Sequence, residues 1–216
     1  MLGFELCGTY SLSRKNSHGF TARAPLTTPS SLLAHLETKE GQYGIKQARR
    51  ALSYVMPNSA SPRETATAML LCLPYALGGY RLENPSLNYQ IPLDKQARKI
   101  ANKRFYVCDL YWPEAKLDVE YESDCFHTGS ERIASDSKRR NALSFKGITV
   151  VSITRKQMNN YVEFDKVAHI IAHHIGKRIR PRSASFDTRQ LELRATVLGN
   201  GCFGPSRTPS DTLPTA

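Results

Sequence analysis

Asp109, Asp118, Glu120 and Glu122 lie on two neighbouring segments that both read as β-strands. Phe105 to Trp112 is rich in aromatic residues, and Leu117 to Ser123 alternates apolar with polar, the pattern of a half-buried strand. Pro113 to Lys116 joins them with a hairpin-length connection. In that hairpin Trp112 faces Leu117, Tyr111 faces Asp118, Leu110 faces Val119 and Asp109 faces Glu120. Opposed Cβ atoms on one sheet face lie about 4.5–5.5 Å apart. Period-two alternation adds Asp118 and Glu122 to the face of Asp109 and Glu120, with Leu117, Val119 and Tyr121 on the other. Like charges opposed on a sheet destabilise it, so this face needs a divalent cation or open solvent. Mg²⁺ takes hard oxygen ligands, binds phosphate oxygens as well, and organises water for hydrolysis. Asp109, Glu120 and Glu122 are the candidate metal ligands, for Mg²⁺ or Mn²⁺. Asp118, nearer the hairpin, is expected to be solvated.

The surrounding charge points the same way. The chain of 216 residues carries a formal charge of +11. Residues 1–104 carry about +8, residues 105–128 about −5, residues 129–182 about +8, and residues 183–216 none. An acidic knot between basic blocks suits a polyanion whose phosphates meet the acids through a cation, because Lys and Arg release condensed counterions from DNA. A solvated acidic hairpin on a generally basic surface is the alternative.

Other function classes are excluded or unsupported. No run of about 18 apolar residues occurs and no secretory signal pattern opens the chain, so a cytoplasmic protein is expected. Five scattered cysteines include no C-x-x-C pair and read as reduced thiols. Ser130 and Ser183 lack a G-x-S-x-G context, and Gly78-Gly79 lacks the rest of a phosphate loop. His169 and His173 share a helix face at ligand spacing but have no acidic partner between them.

The elements that must hold the acids follow from punctuation and periodicity. Short helices are expected at 30–36 and 44–55. Ser61-Pro62-Arg63-Glu64 is a helix start, with a Ser N-cap, Pro at the first position and Glu three after the cap. Residues 88–92 read as a short extended piece, 130–146 as a helix ended by Gly147, 148–153 as a buried β-branched strand and 165–177 as a last core helix. A short helix near 188–197 and a disordered tail follow. The expected organisation is an N-terminal helical extension of unknown role (1–59), an α/β domain that carries the acids (60–179) and a polar, partly disordered tail (180–216).

These residues resemble a family. Asp109, then Glu120-Tyr121-Glu122-Ser123, then His127, is similar to the PD-(D/E)xK nuclease superfamily, in particular its very-short-patch-repair-like endonuclease branch. The likeness extends to Glu64 in Ser-Pro-Arg-Glu-Thr, to Asp136-Ser137-Lys138-Arg139 with Leu143, and to Gly147-Ile148-Thr149-Val150. It covers about residues 60–176. It implies an α/β (α+β), restriction-endonuclease-like mixed sheet flanked by helices, and Mg²⁺-dependent hydrolysis of DNA. Glu64, Asp109, Glu120, Glu122 and His127 would be the catalytic residues. The sequence departs from the pattern at two places: Glu122 stands where the superfamily has lysine, and Ser123 where the branch has glycine. A second metal, His127 or Lys116 would then have to help the attacking water.

Each residue also has an ordinary reading. Glu64 completes a capping box, His127 is a loop histidine, and Asp136 with Arg139 is a helix ion pair. The resemblance makes Arg139 an orienter of the carboxylates or a phosphate contact. Lys138, Arg139, Arg140, Lys146, Arg155 and Lys156 are the candidate DNA-backbone contacts. The competing functions are a non-catalytic, antitoxin-associated DNA-binding module on the same fold, and a protein–protein adaptor.

Overall fold

The structure is a computed structural model describing residues 1–83, 85–101, 103–122, 130–181 and 184–199. The N-terminal stretch forms α1 (Leu2–Cys7), the strands β1 (Tyr10–Leu12) and β2 (Phe20–Ala22), α2 (Pro29–Glu37) and α3 (Ile45–Leu52). Next come α4 (Pro62–Cys72), a short 3-10 turn, β3 (Ser86–Pro92) and α5 (Lys95–Ala101). The remainder is β4 (Phe105–Trp112), β5 (Leu117–Glu122), α6 (Ser130–Phe145), β6 (Thr149–Thr154), α7 (Arg155–Asn159), α8 (Tyr161–His174) and α9 (Phe186–Leu198). The sheet that matters runs β3-β4-β5-β6, antiparallel at its first two junctions and parallel at the third. The molecule is thus a mixed α/β structure built on a four-stranded mixed sheet.

Both sheet faces are covered. One core joins Leu110, Trp112, Leu117, Val119 and Ile153 of the strands to residues of α4, α8 and α9. The second joins Tyr106, Cys108 and Tyr111 to Ala97 of α5 and to Ala142 and Leu143 of α6. Phe4, from the first stretch of chain, and Phe186, Leu193 and Val197 of α9 belong to the first core, so the outer stretches pack on the same body as residues 60–179.

The hairpin has the register its loop length dictates: Leu110 opposite Val119, Tyr111 opposite Asp118, Trp112 opposite Leu117. α6 ends in a Schellman motif, with Gly147 at φ 69 and N–H bonds from Gly147 to Ser144 O and from Ile148 to Leu143 O. Three helices depart from expectation. α5 was not foreseen, because Lys and Arg dominate so short a segment; among its described side chains Ala97 enters the core. α7 begins at Thr154, whose side chain forms a capping box with Gln157 and cuts off the strand. α8 starts and ends earlier than the apolar spacing suggested, capped by Asn160.

Strand directions give the sheet two distinct ends. Pro92 pairs with Phe105 and Glu122 with Thr154, so the ends of β3, β5 and β6 meet the start of β4. We call this the carboxylate end. Trp112–Leu117 and Leu117–Thr149 mark the opposite, hairpin end. No described helix is long and apolar enough to cross a membrane.

Candidate active site

The β4–β5 ladder stops at Leu110–Val119, and beyond it toward the carboxylate end side chains replace the missing ladder bonds. The backbone N–H of Tyr121 donates to Asp109 Oδ2 at 3.0 Å. Across the gap, the Arg139 guanidinium donates to Val107 O at 2.6 Å and to the Glu120 carboxylate. Buried backbone groups must find partners, and here the partners are the charged residues themselves. The split in the sheet is therefore what brings Asp109, Glu120 and Arg139 together.

Asp109 does not share one regular face with Glu120. Cys108 belongs to the α6-side core and Leu110 to the α4-side core, so alternation along β4 slips at Asp109. The residue opposite is Asn88, at φ 49, and the β3–β4 register skips this pair. Asn tolerates the left-handed region better than most residues. Its amide holds the site from the other side, donating to Glu64 Oε2 at 2.6 Å and to Asn58 O at 2.8 Å. Sequence reasoning missed Asn88; an Asn inside an expected extended run was the available sign.

Glu64 fulfils the capping reading. Its N–H donates to Ser61 Oγ at 3.1 Å, while its carboxylate accepts from Ala60 N and from Ser61 Oγ, both at 2.9 Å. Capping does not exhaust it. Burial raises its pKa against these hydrogen bonds, and it is the strongest charged neighbour of Asp109. Burial first, then Glu64, with a smaller contribution from Glu120, push Asp109 up to about 7, against the Tyr121 hydrogen bond and the more distant Arg139. Acids from α4, β4 and β5 thus converge electrostatically on Asp109.

The other side of the split is compensated. Asp118, expected in solvent, is fully buried, because α6 and Tyr111 close over its face. Its carboxyl oxygens make no hydrogen bond, with Arg139 Nη2 at 3.8 Å. Burial, then Glu120 beside it, raise its pKa to about 9. Glu120 is paired with Arg139, whose guanidinium also lies over the Tyr106 ring at 5.6 Å. Arg139 thus lies against a carboxylate, the arrangement that an orienting role requires. Glu122 is exposed at the end of β5, with Arg140 at 3.8 Å.

The other named residues fall in different places. His127, with Cys125, lies outside the described residues. Lys116 occupies the hairpin turn at φ 47, four residues along β5 from Glu120 or roughly 13 Å at strand rise, too far to serve water beside it. Lys138 is exposed on α6 near Arg140, and Arg155 and Lys156 are exposed at the carboxylate end. Lys146 follows α6 at the hairpin end. Cys7, Cys72 and Cys108 are free thiols. His169 faces Asp165 at 3.8 Å on its own helix.

Among the described residues no three His, Cys, Asp or Glu side chains are gathered tightly enough to hold a metal ion alone. Mg²⁺ does not require that, since it keeps several waters and binds through one or two carboxylates plus substrate phosphates. Half-buried Asp109, crowded by two other acids, has the chemistry of such a ligand. Comparison with protein-family models, with curated proteins and with solved structures yields no match to this chain.

Proposed function

We propose that the protein is a metal-dependent endonuclease that hydrolyses DNA phosphodiester bonds on a restriction-endonuclease-like core. The observation that carries this reading is the gathering of acids where β4 and β5 separate: Asp109 accepts the N–H of Tyr121, the neighbour of Glu120, and Asn88, opposite Asp109 on β3, holds Glu64. A fold that needed only stability would gain by replacing one of these acids; a bound cation relieves the same repulsion.

Asp109 and Glu120 would hold Mg²⁺ or Mn²⁺, with Glu122 at the rim. The ion, when bound, supplies Lewis-acid stabilisation of the phosphate oxygens and a more acidic water. The chain's own contributions are positional. Asn88, Ala60 and Ser61 fix the Glu64 carboxylate, whose charge is the largest acting on Asp109. The Tyr121 N–H holds one Asp109 oxygen and leaves the other available. Arg139 holds Glu120 at the gap and prevents it from folding away.

A nicking assay on supercoiled plasmid with Mg²⁺ or Mn²⁺ tests the reading, with D109N as control. Wild-type cleavage lost in EDTA and in D109N supports it. The second reading, a non-catalytic DNA-binding module on the same fold, draws on Glu122 standing in the lysine position and on the Arg139 pair already neutralising Glu120. It predicts DNA binding with no nicking under any metal.

A further inference from the structure

The α5 segment carries the charge at the carboxylate end that nothing in the described structure neutralises. Lys95 and Lys99 lie on α5 with Arg98, and Lys103 and Arg104 lead from it into β4; all five are exposed. None forms an ion pair among the described residues. The local acid, Asp94, is used as a cap: its Oδ1 accepts the N–H groups of Gln96 and Ala97. Two cations of α6 differ, because Arg139 is bound to Glu120 and Arg140 faces Glu122. Strand order puts α5 beside the β3–β4 junction, Arg155 and Lys156 beyond β6, and the acids of β4 and β5 between them.

We propose that the α5 segment is the surface on which the DNA phosphodiester backbone docks, with Arg155 and Lys156 steadying the far side, so that a phosphate between the two reaches Asp109 and Glu120. The inference rests on the nuclease reading for its orientation, but not for its test. Five cations within ten residues repel one another; a row of phosphates relieves that repulsion and releases counterions. Ala97, the buried residue of this helix, anchors it to α6, so the basic face is carried on a packed element rather than a free loop.

The test compares two triple charge reversals with equal change in net charge. K95E/K99E/R104E alters the α5 segment; Arg98 is left alone because its Nε donates to Leu93 O at 2.7 Å. K116E/K177E/R178E alters exposed residues around the hairpin end, where Lys116 sits in the β4–β5 turn and Lys177 lies near Pro113 and Glu114. Binding of a fluorescein-labelled duplex is followed by anisotropy in EDTA across a KCl series. The α5 reversal is expected to weaken binding by about 10²-fold at 0.1 M salt and to flatten the log–log salt slope by about 0.9 per lost contact. The hairpin-end reversal is expected to keep most of the slope. Equal losses in both, or no loss in the first, would overturn the proposal. The neutral triple K95Q/K99Q/R104Q repeats the comparison if reversal impairs folding, and must show the same order of loss. Because binding is read without metal, nicking by wild type alongside unchanged α5-variant binding would sink this surface alone. Selective loss of binding without any wild-type nicking would uphold the surface and sink the nuclease reading.

Discussion

The two sides of the β4–β5 split handle negative charge in opposite ways. On one side Asp118 and Glu120 share Arg139, which also occupies Val107 O and lies over the Tyr106 ring. On the other, Asp109 and Glu64 are held by neutral donors: the N–H groups of Tyr121 and Ala60, the Asn88 amide and Ser61. Neutral donors orient a carboxylate without cancelling its charge. The first side meets Glu120 with a cation and pushes buried Asp118 toward its neutral form, whereas the acids of the second form no ion pair among the described residues. The proposed cation would therefore sit on the Asp109 side, with Glu120 reaching it from its pair with Arg139.

The largest expected effect would break that asymmetry at its centre. D109N should reduce metal-dependent nicking by at least about 10²–10³-fold, the scale of losing one preorganised electrostatic contribution to a transition state, measured by single-turnover plasmid cleavage. Next is R139A, which strands part-buried Glu120 without its countercharge. Breaking a buried pair by removing one partner costs about 3 kcal/mol or more, so urea melts should show a clear loss of stability. E120Q should also lower metal-free stability, by about 1–2 kcal/mol, because a charge-assisted hydrogen bond to Arg139 is weakened. The strand pattern alone suggests no loss, since one like charge disappears; the Arg139 contact reverses that expectation.

A smaller effect sharpens the comparison through pH. The folded pKa of Asp109, about 7, lies above the ordinary carboxyl value near 4. Between these values the folded state keeps a proton that the unfolded chain has released, so stability falls as pH rises through the window and levels off above it. D109N lacks this loss, and thermal melts should show it gaining on wild type from pH 4 to pH 8. Metal must displace the same proton, so the Mg²⁺ concentration for half-maximal nicking should rise up to about tenfold per unit below pH 7. The smallest effect belongs to D118N. Asp118, raised to about 9, is already neutral at pH 7, and the near-isosteric amide should change stability there by less than about 1 kcal/mol.

The hairpin was readable because a loop of fixed length between two alternating strands leaves one register, and it placed Asp109 and Glu120 at the same level. Glu64 was readable as a cap from local chemistry alone. What strand periodicity could not supply was the slip at Asp109, which follows from the left-handed backbone of Asn88 on another strand. Asp118 was misjudged because its nearness to the hairpin says nothing of α6, which arrives from later in the chain and covers it. The Arg139–Glu120 contact spans a β-strand-to-helix crossover and has no local signature. α5 was missed for a related reason: Ala97 packs against α6, which comes from much later in the chain, and seven residues are too few for a periodic pattern to stand out.

Anomalous diffraction from crystals grown with Mn²⁺ tests the central claim most directly. The account predicts a peak at coordination distance, about 2.1 Å, from an Asp109 oxygen and within reach of Glu120, and its disappearance in D109N. A peak lodged instead against Asp118 on the Arg139 side, or at exposed Glu122 without Asp109, would contradict it.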